Sequence, residues 1–517
     1  MYPPNFINAS YSFFANMMVQ DPETGLGNRF VFILVAIGIA YVSRFFLLKR
    51  MNHWMMSASE KAVIEEKENN TPEVKNSSGI SFNMLDTNAD FSSTAVDRET
   101  MVSRAKKGMT QHFKLDLLIV VIYAIAGLIV YMEAFTGYEN YVLITGYENA
   151  EGLYIETLKR GMFYFLYLGL FLVWVVMRYI GFRHQFKAYQ EGIFGLISPL
   201  WKFVFAVFQS RWYMLLAAVV LLNSFVNGAF ATIAGLTSEG LTMLFPVLLH
   251  IVIILRVRGR AKKRPNLKLL ILRVFLINKT SMFTFSRLAR FWKHFGAYFT
   301  VADPSFYKVY WKRRFNHVFP VFIVLLFLVY TQIENSMSDS GSGSPFGPFL
   351  FLLFIGALIF IVISVKRLKS NFVSDKVALE KELNKLEMQP VKLDNTFKEK
   401  PMSCYDNTWK LTVERLVVTA NVVLMDLRGF SEKNKGCEYE VNLLLNTVRL
   451  DNILFLGYPD AISLIKDVIN KKFSTLDKDS PNAALVNPVA TIFEVHKENN
   501  KETQQIMDVL IAKALAE

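Results

Sequence analysis

Cysteine is almost absent from this sequence: Cys404 and Cys437 are the only two in 517 residues. Two cysteines exclude a disulfide-stapled scaffold and a cysteine-rich metal cage. The seven histidines are scattered, and neither an HExxH nor a CxxC motif occurs, so the sequence predicts no metal site. Charged residues make up only 20%, whereas hydrophobic residues make up 52% and the mean hydropathy is +0.28. This composition excludes disordered, collagen-like and purely soluble single-domain proteins.

Long apolar runs account for this hydropathy. A transmembrane helix needs roughly 17–25 mostly apolar residues. Seven runs approach or reach that length, at 29–48, 115–135, 161–180, 212–230, 240–255, 319–333 and 345–365. The sequence therefore predicts an α-helical multi-pass membrane protein with about seven spans.

The distribution of lysine and arginine predicts the orientation of these spans. The connection 49–114 contains ten of them, whereas residues 1–28 and the connections 231–239 and 335–344 contain none. Because basic loops stay in the cytoplasm, the N-terminus is predicted outside and the C-terminus inside. The connection near 49–114 is polar and poor in aromatic residues, which predicts a mobile cytoplasmic loop.

The residues outside the spans suggest a cytoplasmic domain in two pieces. We predict a membrane region with five spans at residues 1–255 and the first piece of the cytoplasmic domain at 256–316. A transmembrane hairpin is predicted at 317–365, and the second piece of the domain follows at 366–517. Apolar runs of strand length alternate with amphipathic helical patterns in both pieces, which predicts a parallel sheet covered by helices on both faces. The predicted strands are 267–275, 297–302, 421–427, 452–456 and 489–495, and the predicted helices are 281–295, 374–388, 409–419, 436–448, 459–472 and 502–516.

In open α/β sheets, ligands bind beyond the carboxyl ends of the strands. The polar residues predicted at those ends, and therefore to bind a ligand, are Arg273, Asp303, Asp426, Arg428 and Glu438. Asp426 and Arg428 suit a ribose hydroxyl and a phosphate, although a mutual ion pair at the end of the strand explains them equally well.

Glu440 is the candidate catalytic residue. We predict it in the first turn of a helix, where the dipole and the free N–H groups would keep its carboxylate ionised. Such a carboxylate can attack or stabilise a sugar carbon while an N-glycosidic bond breaks. The alternative is that Glu438 and Glu440 are ordinary first-turn acids, which are common in helices.

The segment 256–316 is strongly basic, with sixteen lysines and arginines against one acid. Because it adjoins two predicted spans, contact with anionic lipids of the inner leaflet explains this charge best. A nucleotide is the alternative partner. No aromatic RNA-binding motif accompanies the charge, so no nucleic-acid partner is expected.

Four motifs resemble a group of bacterial multi-pass membrane proteins: LLILRVF at 269–275, CYDNTW at 404–409, VVLMDLRGFS at 422–431 and GCEYE at 436–440. Their cytoplasmic domains look like TIR domains and nucleoside deoxyribosyltransferases. The resemblance implies a five-stranded parallel flavodoxin-like sheet at the bacterial inner membrane and NAD or a nucleotide as ligand. It also implies that the residue at the position of Glu440 acts on the ribosyl carbon. In those relatives, a segment rich in glycine and threonine precedes the glutamate. The corresponding residues here, 432–437, read EKNKGC.

Two functions therefore remain open. The first is a membrane-anchored nucleotide- or NAD-binding protein that cleaves an N-glycosidic bond through Glu440. The second is a non-catalytic signalling or scaffold protein whose α/β domain binds a nucleotide or a protein partner, with a homo-oligomer as a further option. A transporter is the weakest expectation, because few ionisable residues lie within the predicted spans.

Overall fold

The computed structural model divides the chain into two compact units. The smaller unit draws on 1–62, 302–374 and 403–408, and the larger unit on 63–301, 375–402 and 409–517. The structure describes residues 42, 45–62, 73–75, 79–89, 92–145, 165, 168–169, 172–173, 175–184, 186–187, 248, 251–253, 255–256, 259, 266–274, 287–289, 291–302, 365–366, 369–388, 391 and 396–516. Five of the seven predicted spans lie wholly or largely outside these residues, and the predicted domain boundaries stay predictions.

The described residues contain ten strands and six α-helices whose bounds are fully described, besides shorter or incompletely described helical stretches. The strands are β1 (Glu73–Lys75), β2 (Ser81–Leu85), β3 (Leu269–Arg273), β4 (Tyr298–Val301), β5 (Phe372–Val373), β6 (Glu399–Cys404), β7 (Val422–Asp426), β8 (Ile453–Gly457), β9 (Thr475–Asp477) and β10 (Val489–Glu494). The helices are α1 (Ser92–Thr145), α2 (Lys376–Met388), α3 (Trp409–Thr419), α4 (Lys435–Thr447), α5 (Ile462–Phe473) and α6 (Asn500–Leu515).

Eight of the strands pair with their neighbours in parallel. Seven of them follow one another across the larger unit in the order β2-β10-β8-β7-β3-β4-β6. In the smaller unit, β5 pairs with the last two residues of β6. The predicted parallel α/β class is confirmed. All five predicted strands are present, with their ends shifted by one or two residues.

The order of the six strands from β6 to β10 differs from the predicted flavodoxin-like arrangement. Numbered along the chain, β3, β4, β6, β7, β8 and β10 are strands 1 to 6, and their order across the sheet is 3-2-1-4-5-6. This is the order of the doubly wound dinucleotide-binding fold, whereas flavodoxin-like sheets have the order 2-1-3-4-5. The direction of the strand order therefore reverses between β3 and β7.

Two distant pieces of the sequence combine in this sheet, as predicted. Strand β3 belongs to the first piece and β7 to the second, and they pair over five residues, from Leu269 beside Val422 to Arg273 beside Asp426. All ten of these residues are buried. Because their side chains are mostly aliphatic, the hydrophobic effect holds the two pieces together without a contiguous sequence.

Helices cover both faces of the sheet in the larger unit. On one face, Leu424 of β7 and Leu456 of β8 lie in the same core cluster as α6 and the first half of α1. On the other face, the position that a side chain at Gly457 would occupy is filled by Ile462 and Ile465 of α5. Helix α5 contacts α4, and α4 contacts α3. Helices α3, α4 and α5 therefore lie on the face opposite α6.

Gly296 is required by a close approach between two strands at their amino ends. A Cβ atom at this position would lie 1.7 Å from the backbone oxygen of Leu267. Beside it, the indole N–H of Trp292 lies within hydrogen-bonding distance of the carbonyls of Leu267 (3.0 Å) and Ala297 (3.2 Å). Trp292 is completely buried, so its N–H needs such a partner.

Two sequence predictions were wrong. The stretch near 49–114 is not simply a mobile loop: β2 is an edge strand that pairs with β10, and α1 begins at Ser92. The sheet has eight parallel strands rather than five. Strand β6 was missed because its sequence, EKPMSC, contains two charged residues and a proline, which are depleted in strands.

Helix α1 is also much longer than the predicted span at 115–135. Its residues Asp97–Ile129 are long and apolar enough to cross a membrane, the one such helix among the described residues. The first half of α1 packs on α6 in the core of the larger unit. Continuous helix therefore extends from the α/β core into the apolar segment.

The smaller unit has its own apolar core and polar contacts. Met51, Trp54, Ala302, Phe372 and Tyr405 pack together in it. The side-chain amide of Asn407 accepts a hydrogen bond from the backbone N–H of Ser59 and donates one to its carbonyl.

Candidate functional site

The carboxyl ends of β3 and β7 mark the switch point at which ligands bind in open α/β sheets. Arg273 ends β3 and lies in register with Asp426, the last residue of β7. Residues in register on parallel strands point to the same face, so the structure brings these two predicted ligand-binding residues together. Arg273 is 5% exposed and Asp426 is fully buried. The third predicted residue at a strand end, Asp303, lies outside the described residues.

Asp426 and Arg428 form an ion pair with each other. Nε and Nη2 of Arg428 donate to the two carboxylate oxygens of Asp426 at 2.8 and 3.0 Å, and the backbone N–H of Arg428 donates to Oδ1 at 3.2 Å. Both residues are fully buried. The alternative interpretation from the sequence, a mutual ion pair, therefore describes the structure, and the Asp426 carboxylate is occupied by Arg428.

Two further residues complete this cluster, and the sequence analysis missed both. Nη1 of Arg428 donates to Oε1 of Glu498 at 3.2 Å, and the hydroxyl of Tyr458 donates to the same oxygen. The Arg428 guanidinium also lies 6.0 Å from the centre of the Tyr458 ring. Tyr458 follows β8 directly and Glu498 follows β10 by four residues. Extending the strand-end rule by a few residues would have found them.

The electrostatics of the cluster keep Arg428 charged. Burial by itself would lower the pKa of Arg428, but the carboxylates of Asp426 and Glu498 raise it above the ordinary value. For Tyr458, burial and the hydrogen bond to Glu498 both raise the pKa. At neutral pH the cluster is thus a buried cation held between two carboxylates, with the Tyr458 hydroxyl protonated.

Glu498 is held at a conformational cost. Its φ angle is +49°, in the left-handed region that residues other than glycine rarely adopt. Such a conformation costs about 1–3 kcal/mol and persists where surrounding contacts enforce it. In addition, its Oε2 atom is buried without a hydrogen-bond partner. The Glu498 contact to Arg428 is therefore opposed by backbone strain and by an unsatisfied oxygen.

Glu440 lies in a different environment from the one predicted. Helix α4 begins at Lys435, which places Glu440 in the second turn, and its side chain is on the buried face of the helix. Its exposure is 2%, and Oε2 has no hydrogen-bond partner. Burial raises the pKa of this carboxyl from 4.5 to about 8. The predicted first-turn position was wrong, and burial at this depth disfavours the ionised form that was expected there.

The neighbours of Glu440 on α4 have structural contacts. Glu438 lies in the first turn and pairs with Lys435 at 3.0 Å on the surface. Tyr439 donates to Glu414 at 2.6 Å and packs edge-on against Trp409. Burial, together with the nearby carboxyl groups of Glu440 and Asp426, raises the pKa of the Cys437 thiol. Of the predicted residues on this helix, only Glu440 has an unsatisfied polar group.

The two predicted centres therefore lie on different faces of the sheet. Asp426 points to the same face as Leu424, towards α6, whereas Glu440 is on α4 at the opposite face. No protein-family model, curated protein or solved structure matches this chain.

Proposed function

We propose that the larger unit is a nucleotide-binding module, with NAD or a mononucleotide as its ligand, and that membrane helices anchor it. The observation that carries this proposal is the strand order 3-2-1-4-5-6, with a cluster of charged residues at its switch point. Sheets with this order bind dinucleotides across the crevice at the switch point. Here Arg273 and Asp426 lie side by side at that switch point.

The sequence after β3 indicates how a phosphate would be held. In the common dinucleotide-binding fold, a glycine-rich turn follows the first strand and lets the backbone approach the pyrophosphate. Residues 274–280 read VFLINKT and contain no glycine. A cationic side chain must then supply most of the attraction for the phosphate. The guanidinium of Arg273, at the end of this strand, suits that role because it can form paired hydrogen bonds to phosphate oxygens.

We expect Arg273→Gln to weaken binding of NAD or AMP by about tenfold, since one charge-assisted contact is worth about 1.5–3 kcal/mol. Isothermal titration calorimetry on the detergent-solubilised full chain measures the affinity, and circular dichroism verifies folding. The matched control is Arg415→Gln, because Arg415 is half-exposed and pairs with Glu380 on the surface. Equal affinity in both variants and the wild type would place the ligand away from β3, and absence of saturable binding would refute the module itself.

Hydrolysis or transfer at an N-glycosidic bond is the second candidate function, and Glu440 favours it. A buried carboxyl that is neutral at pH 7 and has an unsatisfied oxygen is a common property of catalytic acids. In its neutral form Glu440 would protonate the leaving base as a general acid, rather than attack the ribosyl carbon. The alternative is binding without turnover, as in a signalling or scaffold protein.

Release of a free base separates these two functions. If Glu440 is the acid, the wild type should release nicotinamide from NAD or a base from nucleosides, and Glu440→Gln should be slower by about a hundredfold. Chromatography of the reaction mixture measures this. Glu438→Gln is the control, because Glu438 has its own partner on the surface. If the wild type binds NAD or a nucleoside saturably but releases no base, the non-catalytic function is the one that is supported.

The proposed anchoring in the bacterial inner membrane rests on two helical stretches of the larger unit. In α1, exposed basic residues up to Lys114 give way to exposed apolar residues from Leu117 onwards. The stretch 172–187 shows the same change in reverse, with exposed apolar residues up to Ile180 and exposed Arg183 and Lys187 after it. A buried ion pair between Arg178 and Asp116, at 2.6 Å, joins the two helices at this level.

Such a boundary fits a membrane surface with anionic lipids on the cytoplasmic side. We further propose the full set of about seven spans, with the N-terminus outside, and contact between 256–316 and anionic lipids. Cysteines introduced at 335–344 should then react with an impermeant thiol reagent in intact cells. Reaction only after lysis would contradict this orientation.

A further inference from the structure

We propose that Glu498 is an internal carboxylate that occupies the anion position on Arg428 in the ligand-free chain, and that a phosphate group of the ligand displaces it and so releases the start of helix α6. This inference rests on the proposed nucleotide-binding function. It assigns the second phosphate contact to Arg428 and a regulatory role to Glu498, which the sequence analysis did not identify.

The Arg428 guanidinium contacts Asp426 and Glu498 through different nitrogens. Nε and Nη2 are engaged by Asp426, and Nη1 points to Glu498. Arg428 is fully buried, whereas the side chain of Glu498 is 12% exposed. Of these two side chains, that of Glu498 is therefore the more accessible to solvent. A phosphate that enters at these strand ends can replace the Glu498 carboxylate on Nη1, since both are oxyanions.

The properties of Glu498 suit a partner that is released. Its φ angle of +49° and its buried, unpartnered Oε2 both oppose the contact with Arg428. Loss of the contact would allow the backbone to relax and Oε2 to reach water. By contrast, Asp426 accepts three hydrogen bonds from Arg428 and ends a buried strand. Of the two carboxylates on Arg428, Glu498 is the one that a ligand can displace at lower cost.

Release of Glu498 would affect α6 because the two are directly connected. Asn499, the next residue, caps the helix by accepting from the backbone N–H of Glu502 at 2.9 Å. The Glu502 carboxylate in turn accepts from the backbone N–H groups of His496 (2.8 Å) and Lys497 (3.0 Å). A shift of Glu498 therefore disturbs the residues that hold the first turn of α6.

Helix α6 in turn contacts the long helix that extends into the apolar segment. Asp508 of α6 accepts from Arg98 of α1 at 2.8 Å, and the two helices share the core cluster on their face of the sheet. Gln505 donates to the carbonyl of Thr87, just before α1. A continuous series of packed and hydrogen-bonded residues therefore connects Arg428, through Glu498 and α6, to the helix that is proposed to enter the membrane. A ligand that binds at Arg428 can affect that helix through these contacts.

We expect Glu498→Gln to tighten binding of NAD or AMP by about tenfold, because the internal competitor loses its charge while its shape stays the same. Calorimetry on the full chain in detergent measures this. Glu494→Gln is the matched control: Glu494 lies four residues earlier at the end of β10 and faces His496 at 3.5 Å, not Arg428. If Glu498→Gln does not fold by circular dichroism, Glu498→Gly serves instead, since glycine tolerates the positive φ.

Hydrogen exchange tests the second half of the proposal. Amides 500–504 should exchange faster when NAD saturates the wild type, and equally fast in unliganded Glu498→Gln. Wild-type binding that Glu498→Gln leaves unchanged or weakens would overturn this inference and leave the proposed function standing. Absence of binding by both proteins would instead refute the proposed function, and the inference with it. Unchanged exchange at 500–504 in the presence of NAD would overturn the coupling to α6.

Discussion

Asp426→Asn should destabilise the α/β unit by about 3 kcal/mol, because it removes a fully buried carboxylate that pairs with the buried Arg428 cation. Water cannot compensate, since both side chains of the pair are fully buried. Denaturant unfolding followed by tryptophan fluorescence measures this change, and Trp292 in the core is a suitable reporter.

A surface pair provides the control for this experiment. Glu438→Gln removes the partner of Lys435, whose side chain is 77% exposed, and should cost less than about 1 kcal/mol. Replacing Asp426, Arg428 and Glu498 together with leucine, methionine and glutamine should recover much of the lost stability, because the cost comes from uncompensated charge and this variant leaves none in the cluster. A loss after Asp426→Asn as small as that of Glu438→Gln would mean that Arg428 is not held as the structure shows.

Glu440→Gln should make the α/β unit markedly less sensitive to pH. Burial raises the pKa of Glu440 to about 8 in the folded chain, against 4.5 in the unfolded chain. Between these values the unfolded chain has lost this proton and the folded chain still holds it, so the stability of the wild type falls as the pH rises. From pH 5 to pH 8 the loss is roughly 3 kcal/mol, and it levels off above pH 8.

The measurement compares the denaturant midpoints of the wild type and Glu440→Gln at pH 5, 7 and 8.5. Other titrating groups cancel in the difference, which should grow with pH in favour of the variant. Glu438→Gln should show no such growth, because its carboxylate reaches solvent. A difference independent of pH would show that Glu440 is ionised in the folded chain, which would also remove it as a general acid.

Secondary structure was predictable where the buried side chains are continuous. Strands β3, β7 and β8 each consist of four consecutive apolar residues followed by one other residue, and each is buried along its full length. By contrast, β2 (SFNML) and β6 (EKPMSC) have mixed polarity and lie towards the edges of the sheet. Their strand conformation comes from pairing with neighbours that are distant in sequence, which local pattern does not reveal.

For the candidate site, too, local sequence patterns were informative, whereas contacts between residues distant in sequence were not predictable. The strand-end rule correctly placed Arg273 and Asp426 at the carboxyl ends of two strands, and the pairing of these strands brings them side by side. It did not identify Glu498, whose contact to Arg428 spans 70 residues of sequence. It also did not reveal the burial of Glu440, because the position of a residue in a helix does not state how deeply its side chain is buried.

The amino-acid sequence by itself determined the parallel α/β class, the positions of the central strands and the union of two distant pieces in one sheet. These follow from runs of apolar residues, which must be buried whatever their partners are. Only the tertiary structure decided the strand order, the second carboxylate on Arg428 and the neutral state of Glu440. Each of these depends on which residues from remote parts of the chain surround a given side chain, and electrostatic energies change with that environment far more than hydrophobic ones do.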